Sequence, residues 1–257
     1  MKSIIKTLIR LLLPLGLVQA INKILRRLAA AGHGLQFWLQ WRVAAHQPGW
    51  FDHFINQYRW YETRDPSAWD RGVLGLLGMK SGCRVLDLCC GDGFYPYHFY
   101  VHRAARIVAI DYDSTAISFA RRHFRAPNLE FQAGDIRTDL PGEEFDNVTW
   151  DAGIDYFSVP DTRKIFLEIK QRLTPGGLLS GVAPQWPKDF QGHADQKNEF
   201  STVQDLGGLL REHFRNVAVL ELPGMQRTTM YFYASDGPLP LDPGSGIRAS
   251  FSDSIST

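Results

Sequence analysis

VLDLCCGDGFYPYHFY, residues 85–100, begins as a short apolar run, turns acidic at Asp87 and ends in two cysteines, a broken glycine pattern and a cluster of aromatics. A run this short, closed by Gly-Asp-Gly, reads as a strand over 84–90 that delivers a loop. Beyond it the chain alternates. Strand signals lie at 106–112, 129–134, 145–150 and 178–183, and helical signals at 95–103, 114–124, 161–173 and 202–214. Ser114 is placed to cap the second of these helices, and Pro175-Gly176-Gly177 to stop the third. Strands alternating with helices imply a parallel sheet covered on both faces. Two last strands, 217–222 and 228–234, are too close together for a crossover and must form an antiparallel hairpin. The fold expected is therefore α/β: a doubly wound, mostly parallel sheet of seven strands.

In such a sheet, ligands bind beyond the carboxyl ends of the strands. The first strand brings Asp87, Cys89, Gly91, Asp92 and Gly93 there, and the glycines allow a ligand close to the main chain. The second strand ends at Asp111, an acid placed to accept both hydroxyls of a ribose. Dinucleotide-binding and S-adenosylmethionine-binding folds share both features. A dinucleotide loop needs a third glycine, but Phe94, Tyr95 and Pro96 follow instead. Asp87 and Asp92 also flank the loop, a poor setting for a pyrophosphate and a good one for a ligand carrying ammonium and sulfonium. Three cysteines, two of them adjacent, form no CxxC pair and read as reduced thiols.

On these motifs residues 80–236 resemble the class I S-adenosylmethionine-dependent methyltransferases. VLDLCCGDG (85–93) stands as the first motif, with Cys89 where the family usually has a glycine. VAIDYD carries the acid after strand two, Ala133-Gly134-Asp135-Ile136 is similar to the adenine-side motif, and FDNVTWDAGIDYF (145–157) and LTPGGLL (173–179) follow in order. The resemblance implies a Rossmann-like methyltransferase fold and S-adenosyl-L-methionine as cofactor. It implies that Asp87 and the 89–93 loop sit by the methionyl part, Asp111 on the ribose and Tyr112 against the adenine. Asp135 would accept from the adenine amino group, Ile136 would pack on the ring and Asp151 would line the methionyl side. Singly, Asp111 also reads as a helix-capping acid, Asp135 as a turn residue and Asp151 as a strand-end acid. For the proton that an acceptor must lose, Asp155 is the first candidate, with His193 and Tyr156 beside it. His193 also reads as an exposed loop histidine. No acid–histidine cluster argues for a metal.

Charge is distributed unevenly. The chain carries +1 overall, yet residues 1–51 hold seven basic residues and no acid before Asp52. Over 2–13 and 19–28, basic and polar residues gather on one helical side and Leu and Ile on the other. Pro14 and Gly16 are expected to break the two into short amphipathic helices. The longest uncharged stretch, 11–22, is far short of a spanning helix. A signal peptide is disfavoured by Lys23, Arg26 and Arg27. An anionic membrane surface is the expected partner of residues 1–30, with packing on the protein's own domain as the alternative. The layout expected is a basic arm over 1–50, an aromatic-rich helical extension over 51–80 and the catalytic domain over 81–236. In the extension, Tyr58, Arg59 and Tyr61 could line the acceptor pocket. A Pro/Gly/Ser-rich tail at 237–257 is expected to be disordered. A cytoplasmic enzyme, peripheral on the inner face of a membrane, follows. Its acceptor would be a small molecule or a lipid-linked one such as a glycan; no basic stripe on the body suggests nucleic acid. Two other functions remain open: a non-catalytic, membrane-tethered binder of the cofactor, and a nicotinamide-dependent oxidoreductase.

Overall fold

A computed structural model describes residues 15–38, 67–186, 200–222 and 228–240. These belong to two units. The first contains helix α1, Leu15–Trp38. It runs unbroken through Gly16 and continues well past residue 28, where the amphipathic pattern read from sequence ended. The expected break is absent at Gly16, and Pro14 lies outside the described residues. Leu17, Ile21, Ile24, Leu28 and Leu35 recur at helical spacing on one side and are 41–64% exposed. Lys23, Arg26 and Arg27 lie on the other side. Among the described residues no helix is long and apolar enough to cross a membrane.

The second unit opens with α2, Ser67–Leu77, and then builds a seven-stranded sheet. Its strands are β1 (Arg84–Leu88), β2 (Arg106–Asp111), β3 (Leu129–Ala133), β4 (Phe145–Asp151), β5 (Leu173–Pro184), β6 (Asn216–Leu222) and β7 (Thr229–Ser235). They lie in the order β3-β2-β1-β4-β5-β7-β6. The first five are parallel, while β7 pairs antiparallel with both β5 and β6. The order reverses between β1 and β4, so the crevice that binds ligands opens there.

Helices α3 (Ser114–His123), α4 (Val159–Arg172) and α5 (Val203–Arg211) complete the cover. Side chains alternate across the strands. Leu86, Leu88, Val108, Ile110, Val148 and Trp150 point to one face and pack with Ile165, Phe166 and Ile169 of α4 and Leu206 and Leu210 of α5. Val85 and Ile107 point to the other, under Phe94, Phe99 and Tyr100, and Ala109 meets Ile117 and Ala120 of α3. On that second face α2 lies close, because Gly72, Gly75 and Gly78 carry no Cβ. A methyl at Gly72 would stand 2.4 Å from the Phe99 ring, and one at Gly75 2.7 Å from the Tyr100 hydroxyl.

Several boundaries differ from the sequence reading, each for a local reason. The β1 strand stops at Leu88 because Cys89 takes φ = 56°. The helix expected over 95–103 is a single π-helical turn, Pro96–Tyr100. Helix α3 is capped by Asp113, whose carboxylate accepts the amides of Thr115 and Ala116, rather than by Ser114. Helix α4 starts earlier, capped by Ser158, since Pro160 is tolerated in a first turn. The Pro-Gly-Gly stop belongs to β5, which begins at Leu173.

Candidate active site

Three carboxylates meet at the carboxyl edge of the sheet. Asp87 on β1, Asp111 at the end of β2 and Asp151 at the end of β4 share the face of Val85, Ile107 and Thr149 by strand alternation. The strands are neighbours, with Asp87 level with Ala109 on one side and Thr149 on the other. Asp87 is 2% exposed and accepts the Thr149 hydroxyl. Burial holds its carboxyl well above the ordinary carboxylate range; the Thr149 hydroxyl pulls it back, while Asp151 and Asp111 push it up further. Burial also raises Asp111, against the stabilising amides of Asp113 and Gly91. Buried like charges that disfavour each other's ionisation are relieved by a cationic ligand.

Asp111 ties the site together. Its Oδ2 accepts the Gly91 amide at 2.9 Å and its Oδ1 the Asp113 amide at 2.9 Å. The glycine loop after β1 is thereby fixed to the end of β2. The loop itself turns through three left-handed residues, Cys89 (56°), Gly91 (54°) and Gly93 (79°). At Cys89 the chain keeps the backbone that suits glycine despite having a side chain. That side chain is seated against the loop after β4: a methyl on Gly153 would fall 2.8 Å from the Cys89 Sγ. Gly93 serves packing as well as the turn, since a Cβ there would stand 2.6 Å from Phe131 and 2.9 Å from Ala120. Its bare Cα lets β3 and α3 close in. Cys90 is buried beside Ala109, Phe124 and Phe131, and all three cysteines are free thiols.

A family model described as a methyltransferase domain matches residues 85–177, the span from β1 to the start of β5. Over this span the chain carries a methyltransferase domain of the class I S-adenosylmethionine-dependent kind. Its similar curated proteins include the ribosomal RNA small subunit methyltransferase C of Chromohalobacter salexigens, 32% identical over 50% of this chain and 40% of that one. Another is the demethylmenaquinone methyltransferase of Staphylococcus saprophyticus, 28% identical over 44% and 49%. The chain thus spans about half the length of these relatives, or less. Among solved structures, the DhpI complex with SAH shares the fold at a TM-score of 0.55 and 21% identity, over 70% of this chain and 87% of that one. The N-methyltransferase NodS of Bradyrhizobium japonicum with S-adenosyl-L-homocysteine follows at 0.51 and 18%, over 68% and 90%.

The donor set of this site fits S-adenosylmethionine: buried carboxylates for positive groups, Asp111 for a diol, and a left-handed loop between them. The remaining residues singled out in the sequence fall in three places. Asp92 is fully buried beneath the loop and accepts the Phe94 amide. Tyr112 projects just beyond Asp111 and is exposed. Asp135 lies after β3 with its carboxylate in the fork of Arg137, which lowers its pKa. Acceptance of an adenine amino group there requires Arg137 to share that carboxylate. Ile136 is buried in the main core. Asp155 and Tyr156 sit together on the short 3-10 turn Ile154–Tyr156 after β4, Asp155 2% and Tyr156 49% exposed. His193, Tyr58, Arg59 and Tyr61 lie outside the described residues.

Sequence reasoning missed Thr149, Arg137 and Tyr100. Tyr100 brings its hydroxyl 3.5 Å from the Asp151 Oδ2. Burial first, and then Asp151, raise its pKa, which keeps it a neutral donor. The signal available for the close approach of α2 to Tyr100 was the Gly72-x-x-Gly75-x-x-Gly78 spacing, one bare helix face.

Proposed function

We propose that the protein transfers a methyl group from S-adenosylmethionine to a small-molecule or lipid-linked acceptor, working as a peripheral protein on an anionic membrane surface at the cytoplasmic side. The observation that carries the reading is the trio Asp87, Asp111 and Asp151 at the strand-order reversal, two of them with raised pKa values. When bound, the cofactor supplies a methyl group activated by its sulfonium. Asp87 and Asp151 then offer negative charge to the methionyl end, and Asp111 holds the ribose while keeping the Gly91 loop in place. Tyr112 covers the adenine, and Asp135 with Ile136 borders it. Asp155, withdrawn from water on the turn beside the site, is assigned the acceptor's proton; Tyr156 and His193 are assigned to the acceptor side.

The exposed apolar side of α1, with its basic opposite side and the absence of acids before Asp52, supports the membrane surface. Relatives named for demethylmenaquinone and for ribosomal RNA leave the acceptor to be found. The neutral-to-acidic charge of the rest of the chain favours the former kind of acceptor over nucleic acid. Calorimetric titration with S-adenosylmethionine tests the core of the reading. Heat of binding that is lost in Asp111→Ala is expected; no heat, with fluorescence quenching by reduced nicotinamide, would replace it with an oxidoreductase. Cell extracts and extracted lipids incubated with labelled methyl donor then identify the acceptor. Binding without any labelled product would leave a cofactor-binding partner protein.

A further inference from the structure

We propose that the Cys89 side chain is a strut between the loop after β1 and the turn Ile154–Tyr156, so that an occupied cofactor loop holds Asp155 and Tyr156 in place, an inference that rests on the cofactor and acceptor-side readings above. Cys89 is in this sense a positioning residue, acting through the turn that carries Asp155.

The backbone marks the spot. Among the described residues only Cys89 and Ala152 combine a side chain with a left-handed conformation, at φ = 56° and 53°. Such residues persist where the surroundings impose them. Cys89 opens the loop after β1, Ala152 opens the connection after β4, and the two strands are neighbours. The Cys89 side chain packs on the core of Leu86, Leu88 and Trp150, the face opposite Asp87, Asp111 and Asp151. The glycine usual at this position could make no such contact.

There it meets the residues from which the turn springs. A methyl on Gly153 would stand 2.8 Å from the Cys89 Sγ, 2.9 Å from its Cβ and 2.8 Å from the Trp150 Nε1. Sulfur and indole thus close together on the bare Gly153 Cα. The Trp150 indole N–H is buried without a hydrogen bond among the described residues, and the polar group beside it is the Cys89 thiol. The turn is held by packing more than by its own backbone. Its internal bonds are long, Tyr156 N–H to the Gly153 carbonyl at 3.2 Å and Phe157 N–H to the Ile154 carbonyl at 3.4 Å. Ile154 is fully buried, and the Phe157 ring meets Trp150 edge-on at 5.5 Å between centroids. With no gap left between Cys89 and Gly153, a displacement of the loop is passed to the turn. Coupling of this kind is reciprocal, so the turn also sets how well the loop binds.

The test is hydrogen–deuterium exchange on the full chain with and without S-adenosylmethionine, each protein at a concentration that saturates it by calorimetry. In wild type the cofactor is expected to slow exchange about 10-fold over both 89–94 and 152–157. Cys89→Gly suits the left-handed backbone and so should fold. It is expected to keep the protection of 89–94 and to lose that of 152–157, leaving less than about a twofold change there. Cys89→Ser, whose hydroxyl can accept the Trp150 N–H, should restore part of it. A second arm works from the turn: Gly153→Ala should weaken S-adenosylmethionine binding about 5-fold or more, and adding Cys89→Gly should recover part of that loss because the sulfur is gone. Protection of 152–157 that survives in Cys89→Gly, or that is missing in a wild type whose loop is protected, overturns the proposal. So do a Gly153→Ala protein that binds as tightly as wild type and a double variant whose two effects simply add. A wild type that shows neither heat nor protection refutes the cofactor reading itself, a separate outcome.

Discussion

Asp87 is buried beside two other acids, so in the ligand-free protein its proton is held to a higher pH than in the unfolded chain. Asp111 behaves in the same sense. Between the ordinary carboxylate value and these raised ones, the folded state binds protons that the unfolded state has released, and stability falls as pH rises through that window. Asp87→Asn removes the burden. The ligand-free variant should unfold at a higher temperature at neutral pH, by the equivalent of about 1–2 kcal/mol, with a flatter pH dependence above pH 4. It should also bind S-adenosylmethionine more weakly by about 1.5–3 kcal/mol. Thermal melts over a pH series and calorimetry check the two halves, and a variant less stable than wild type at pH 7 would refute the first. Cys89 is strained differently, by a side chain on a left-handed backbone. Cys89→Val should cost roughly 1–3 kcal/mol in denaturant unfolding, because branching at Cβ makes that conformation worse. At this scale the sequence was legible where chemistry repeats along a motif: Asp87, Asp111 and Asp151 could be picked out by their place after strands. Tyr100 could not, since the turn that carries it reaches Asp151 through a contact between residues far apart in the chain.

At the scale of elements, α2 owes its position to what it lacks. Alanine normally stabilises a helix relative to glycine by about 1 kcal/mol. At Gly72 the added methyl would run into the Phe99 ring, whose side chain is itself buried, so overpacking outweighs propensity. Gly72→Ala should therefore destabilise the protein by about 1–3 kcal/mol, whereas Gly32→Ala, on α1 with nothing within 4 Å, should raise the helical signal in circular dichroism. The reverse order of effects would mean that α2 does not lie on the Phe99 turn. Parallel strands were readable here because each buried run sits between turn signals, and the closing hairpin because its linker is too short for anything else. Helix and strand ends were less so. Pro160 and Pro175 look alike in sequence, yet one sits in the first turn of α4 and the other inside β5. Only the neighbours that each proline packs against decide between those outcomes.

For the molecule as a whole, the proposed function gives the basic arm and the sheet separable duties. Removing residues 1–30 takes away the exposed Leu17, Ile21, Ile24 and Leu28 together with the basic side. The truncated protein should keep its calorimetric affinity for S-adenosylmethionine but no longer float with anionic liposomes, and a full-length protein that never floats removes the membrane from the account. The mostly parallel sheet of seven strands and its closing hairpin were foreseeable from the sequence, but the order at the far end has an effect on biosynthesis. Strand β7 is translated after β6 and yet lies between β6 and β5. While residues 229–235 are still within the ribosome, β5 has an open edge and β6 has no neighbour to join. Nascent chains stalled at that point would present two unsatisfied strands to their surroundings, and holding factors would find them there.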